Sequence, residues 1–156
     1  MKKFIFGLLL GGFIGLSGGI YILPILTAEA GLSPIQLAQQ LAQVGPQKRE
    51  GEFSRERQDS DPFHWGEGHI TLGQNAIVFE GEIAPGPDYR LYLTPQFVET
   101  EADFIAIKAQ SVQIGMVKSY DNFALSIPAS VDISQYDSVI VWCEAFGQFI
   151  TSAQLK

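Results

Sequence analysis

Few residues in this chain are equipped for chemistry, and the first of them is its single cysteine, Cys143. A cysteine reacts as the thiolate, which needs positive charge or a helix N-terminus close by. The sequence neighbours of Cys143 supply neither, and Glu144 beside it would raise the thiol pKa. Two readings therefore stand side by side: a redox-active thiol, or a small core side chain. With only one cysteine in the chain, no internal disulfide can form, so an oxidised state would be a sulfenate, a mixed disulfide or a metal thiolate.

The other candidates are weaker. His64 and His69 are the only histidines and lie five residues apart. That spacing puts them on opposite faces of a strand, so a shared metal would need a bend between them. Without a further histidine or cysteine at ligand spacing, they read as ordinary loop and strand residues, and no metal site is expected. Trp65 reads as a packing anchor. Glu99, Glu101 and Asp103 could offer oxygen ligands to a divalent cation, but they alternate along a polar connection without a glycine turn, as a solvated loop does. No P-loop, GxGxxG, GxSxG or HExxH motif occurs, so no hydrolase, kinase or dehydrogenase signature is present.

The formal net charge is −7, and the acidic excess lies beyond residue 50. An acidic domain repels phosphate backbones, which excludes nucleic acid as a partner.

Positioning these residues falls to a series of short strands. Ser138–Glu144 carries a β-branched run in which Val139, Val141 and Cys143 share one face while Ile140 and Trp142 share the other. Asp88–Leu93 alternates in the same way, with Tyr89, Leu91 and Leu93 together. It follows the breaker Pro85-Gly86-Pro87. Further strands are expected at 68–72, 76–83, 104–107, 111–117, 123–127 and 148–153. With no helix expected among them, about eight short strands at hairpin spacing predict an all-β antiparallel sandwich or barrel.

That β-domain, residues 51–156, is preceded by two other segments. Residues 1–28 hold an uncharged span, Phe4–Leu26, directly after Lys2 and Lys3. It is long enough to cross a bilayer, which takes roughly 20 apolar residues. A cleaved signal peptide is the alternative, with Ala28-Glu29-Ala30 imitating its cleavage site. Either way the lysines stay in the cytoplasm and the rest is exported, which makes the β-domain extracytoplasmic, on the periplasmic side. Residues 29–50 form a spacer. Ser33-Pro34 starts a short helix and Gly45-Pro46 stops it. Ile35, Ala38, Leu41 and Ala42 would form its apolar stripe, flanked by Leu37 and Val44. This helix is either a plain stalk or a docking element. Gln47–Asp61 is expected to be the polar boundary of the domain.

Several motifs together are family-like. Gly86-Pro87-Asp88-Tyr89-Arg90-Leu91-Tyr92-Leu93 is followed by Ile127-Pro128, then by Tyr136-Asp137-Ser138-Val139-Ile140-Val141-Trp142-Cys143, and finally by Ala153-Gln154-Leu155. This order resembles the DM-thirteen domain family, whose pattern runs from a PD strand through an I-P element to an aromatic-Cys strand and a closing A-x-L. Gly51-Glu52-Phe53 and His69-Ile70 resemble its opening. The resemblance covers about residues 50–156 and implies a part in electron transfer, since family members are joined to DOMON and b-type-cytochrome domains. The role would fall on Cys143. The expected partners are the membrane, through the N-terminal helix, and a membrane or periplasmic electron carrier or another protein. The resemblance names no cofactor and no catalytic mechanism. From the residues alone, a non-catalytic binding module with Cys143 as packing remains the alternative.

Overall fold

The computed structural model describes residues 1–156. The N-terminal apolar span forms one helix, α1 (Lys2–Thr27), the only helix long and apolar enough to cross a membrane by length and composition. A second helix, α2 (Pro34–Gln43), starts as expected: Ser33 accepts from the Gln36 amide, and the Gln36 side chain accepts from the Ser33 amide. This is a reciprocal capping box. Gly45, in the left-handed region at φ 86°, ends it.

Eight strands follow: β1 (Arg49–Phe53), β2 (Gly66–Leu72), β3 (Ala76–Ile83), β4 (Tyr89–Thr94), β5 (Val112–Val117), β6 (Phe123–Ser126), β7 (Ser138–Cys143) and β8 (Gln148–Gln154). They pair into two antiparallel four-stranded sheets, ordered β1-β2-β3-β6 and β5-β4-β7-β8. The sheets do not close on each other, so the architecture is a sandwich. Between them lie Phe53, Ile70, Phe79 and Phe123 from the first sheet, against Tyr89, Leu91, Val139, Val141 and Cys143 from the second. The alternation expected for β4 and β7 holds, with Tyr92, Ile140 and Trp142 on the far side.

Two expectations are corrected. Residues 104–107 are not a strand. They form the end of α3 (Glu101–Ile107), so the domain does contain a helix. Phe104 and Ile107, three residues apart, turn to one side and are buried, while Ile105 faces solvent. Thr100 caps the helix by accepting from the Asp103 amide, and Glu101 and Asp103 place negative charge in its first turn. These helical signals outweigh a four-residue apolar run that fits either structure. The eighth strand is instead β1, within the stretch expected to be a polar boundary. β1 pairs with β2 from Arg49↔Leu72 to Phe53↔Gly68. Its outward residues are charged, which hides an edge strand whose one large inward side chain is Phe53.

Both outer faces are covered. α3 lays Phe104 and Ile107 over Tyr92, Ile140, Trp142 and Phe149 of the second sheet. α2 lays Leu37 and Val44 over Val78 of the first. The face it uses differs from the expected stripe: Ile35 is largely exposed and the flanking Leu37 and Val44 are buried. α2 is thus a packed layer, and the stalk reading does not describe it.

Truncating Leu37 removes most of the contact between α2 and β3. Leu37→Ala should lower unfolding stability by about 2–3 kcal/mol, the low end for a buried leucine, measured by urea denaturation of the full chain in detergent. An unchanged midpoint would mean that α2 is not docked.

Candidate functional site

The segment Pro85-Gly86-Pro87-Asp88 cannot continue a strand, because prolines 85 and 87 lack the amide that a ladder requires. It therefore forms a turn that delivers the chain into β4 opposite the end of β7, with Tyr89 paired to Cys143. Asp88 adopts a left-handed backbone, φ 52°, which aspartate tolerates better than most residues. Its carbonyl accepts from the Glu144 amide at 3.1 Å. Its carboxylate pairs with Arg90.

Cys143 closes this junction. Its thiol donates to the Pro87 carbonyl at 3.0 Å, and the residue is only 3 % exposed. Burial pushes the thiol pKa up; the amides of Phe146 and Ala145 pull it down, and the carboxylates of Asp88 and Glu144 push it up again, with a net rise. At neutral pH the group is a neutral, hydrogen-bonded thiol. Gly147, at φ 63°, completes the β7–β8 turn by donating its amide to the Cys143 carbonyl at 2.9 Å.

The thiol also borders a cavity of about 360 Å³. One wall is α1, through Ser17, Ile20 and Tyr21. The others include Phe63, Tyr89, Phe146 and Ile150. Tyr21 meets Phe63 edge-on, with ring centroids 6.1 Å apart. Tyr120 braces the Pro-Gly-Pro turn: its hydroxyl donates to the Gly86 carbonyl at 2.7 Å, and its ring stands edge-on to Tyr89 at 6.0 Å.

His64 lies on the rim of this cavity, its Nδ1 held 2.8 Å from Asp61 Oδ2. His69 is placed elsewhere, on β2 opposite Glu52 and Glu80, beside a shallow polar cleft. The two histidines do not converge. Arg55 stacks over Trp65 at 3.2 Å. The acidic trio is spoken for individually: Glu99 pairs with Arg57 at 3.0 Å, Glu101 accepts from Gln148 at 2.9 Å, and Asp103 serves the start of α3. No group of three or more His, Cys, Asp or Glu side chains is placed to hold a metal ion.

The outer face of β4 and β7 carries a polar network that the sequence did not reveal. Tyr92 donates its hydroxyl to Glu144, whose carboxylate is also gripped by Lys108 at 2.7 Å. Burial raises the Glu144 pKa, but the hydrogen bonds from Lys108 and Tyr92 outweigh it and hold the carboxyl below its ordinary value. Lys108 lies over the Trp142 ring at 5.4 Å, and the Trp142 indole N–H is buried without a partner. Lys108 and Glu144 are 36 residues apart in sequence, so only the docking of α3 brings them together. Likewise Tyr21, Phe63 and Phe146 gave no sequence signal as cavity walls. The Pro-Gly-Pro-Asp breaker ahead of an alternating strand was the one local sign.

A family model described as "Electron transfer DM13" matches residues 57–155, well over half of the chain and the whole stretch from β2 to β8. Comparison with curated proteins and with solved structures gives no match.

Two outcomes follow from this chemistry. Alkylation of Cys143 in the folded chain should run slower than that of free cysteine and keep accelerating above pH 9.0, the ordinary thiol value. A rate that levels off below pH 8 would contradict the raised pKa. For Glu144, the depressed folded pKa means a stabilising contribution that is present above the unfolded carboxyl pKa and lost as pH falls through the folded one. Glu144→Gln should therefore cost about 1.5–3 kcal/mol at pH 7, and the two proteins should converge in acid, as read by denaturation at several pH values.

Proposed function

The chain belongs to the electron-transfer family DM13, the DM-thirteen family of the motifs above, and from that premise we propose that it works as a membrane-anchored, extracytoplasmic electron-transfer domain whose exchange point is the Cys143 end of the sandwich. The observation that carries this reading is the cavity itself: the single cysteine borders a space whose opposite wall is the apolar helix α1. A helix of 26 residues is about 39 Å long at 1.5 Å per residue, against a hydrocarbon core of about 30 Å. Lys2 and Lys3 precede the apolar span, which favours a cytoplasmic N-terminus and an exported β-domain.

In this reading Cys143 is the redox group. Its two-electron oxidation to a sulfenic acid takes the oxygen from water, passes two electrons to a membrane or periplasmic carrier and releases two protons. A second thiol, necessarily from another molecule, would give a mixed disulfide instead. Burial of the thiol, helped by the carboxylates of Asp88 and Glu144, keeps it protonated at rest.

A second reading has its own observation. The hydrogen bond from Cys143 to Pro87 and its near-complete burial are what a packing role requires, and the domain would then be a binding module. Protein-film voltammetry of the full chain separates the two. The electron-transfer reading expects a wave in the wild type that is absent from Cys143→Ser, with the variant losing only about 1 kcal/mol of stability because a serine hydroxyl still reaches the Pro87 carbonyl. A silent wild type, or an identical wave in the variant, would refute the role given to Cys143.

A further inference from the structure

We propose that the cavity between α1 and Cys143 binds the ring of a lipid-soluble quinone taken up directly from the bilayer. The proposal rests on the membrane-anchored reading above and names the ligand of that same site.

Tyr89 is the residue that points to a ligand. Its side chain is among the largest that are fully buried, 2 % exposed, and it lines the cavity. The hydroxyl makes no hydrogen bond with a protein group; burial, with no hydrogen bond among its causes, raises its pKa strongly. Its oxygen is reached from the cavity rather than sealed in the core, so a ligand that enters can accept a hydrogen bond from it. The fold makes room for it. A side chain at Gly86 would come within 2.6 Å of Tyr89 Cζ, so glycine there is what allows the ring to reach the cavity.

What the cavity lacks is equally informative. No Lys, Arg, Asp or Glu lines it, and His64 on its rim is already paired with Asp61, so a neutral ligand suits it. Tyr21, Phe63, Tyr89 and Phe146 offer aromatic faces, which suit a flat ring. The volume of about 360 Å³ falls at the small end of ligand sites, enough for one substituted ring. The free hydroxyl demands an acceptor, and a carbonyl on that ring provides it.

Location selects a ligand that lives in the membrane. With Phe4 at the inner boundary of the hydrocarbon, Tyr21 stands roughly 26 Å further along the helix, close to the outer boundary of a core about 30 Å thick. Phe63, packed on Tyr21, and Phe146 are 60 % and 56 % exposed, unfavourable in water but suited to the membrane interface. The mouth of the cavity therefore opens toward lipid. A neutral, flat, membrane-soluble ring that bears carbonyl oxygens, bound by an electron-transfer domain, is a quinone.

The test uses the full chain in lipid nanodiscs and a fully substituted benzoquinone with a decyl tail, whose ring leaves no position for addition of the Cys143 thiol. The quinone should raise the unfolding temperature saturably and slow alkylation of Cys143, while decylbenzene does neither. Tyr89→Phe should leave the ligand-free protein as stable as the wild type, because it removes an unpartnered hydroxyl, yet raise the half-saturating quinone concentration about tenfold, the loss of one neutral hydrogen bond. Equal effects of decylbenzene and the quinone would show an acyl-chain groove and overturn the proposal. So would no shift with the quinone, or an unchanged half-saturation in Tyr89→Phe. The mass of the chain recovered from membranes separates the two premises. A chain lacking residues 1–28 has lost the α1 wall, and the anchor reading falls together with this proposal. An intact chain that ignores the quinone overturns this proposal alone.

Discussion

The constraint on which the structure depends is that β7 is buried along its whole length, on both faces. A strand in the middle of a sheet that carries Val139, Val141 and Cys143 inward and Ile140 and Trp142 outward needs a covering layer on each side. The opposite sheet covers the first face. α3 exists to cover the second, and Phe104 packs against the Trp142 ring at 4.9 Å for that purpose. Once both faces are occupied, β4 and β8 are held as neighbours of β7 in a single register, and the end of β7 must lie beside the Pro-Gly-Pro-Asp turn. The position of Cys143 follows from the packing of its strand.

That arrangement sets different chemistry on the two sides of one strand end. Inward, Cys143 meets a backbone carbonyl, tyrosines 89 and 120, and an apolar cavity. Outward, one residue later, Glu144 holds Tyr92 and Lys108 in a charged network. The carboxylate that organises the outer face also helps to keep the inner thiol protonated. Hence the thiol is held protonated at neutral pH. The aromatic side chains around the cavity belong to segments far apart in the chain: α1, the β1–β2 loop, β4 and the β7–β8 turn.

Much of the sandwich was legible in the sequence because period-two alternation is a local property. Tyr89, Leu91 and Leu93, and Val139, Val141 and Cys143, report their faces without reference to anything distant. The failures have equally physical causes. Phe104–Ile107 is too short for periodicity to separate strand from helix, and the deciding signals lay outside it, at Thr100, Glu101 and Asp103. β1 escaped notice because an edge strand can be charged on its outer face. For α2, the wider apolar stripe faces solvent, since only Leu37 and Val44 meet Val78. The site itself was half visible: Cys143 and the Pro-Gly-Pro-Asp turn stood out as motifs, whereas Tyr21, Phe63 and Phe146 became walls only through tertiary packing.

In the proposed function the Cys143 end of the sandwich meets α1 at the membrane surface. Replacing Phe63 with a photo-crosslinking phenylalanine analogue in the full chain, embedded in bilayers, and mapping the product by mass spectrometry tests it most directly. An intramolecular crosslink to α1 at Tyr21 or a residue within one turn of it is expected, as the 6.1 Å ring contact requires. Crosslinks to lipid or solvent alone, with none to α1, would contradict it.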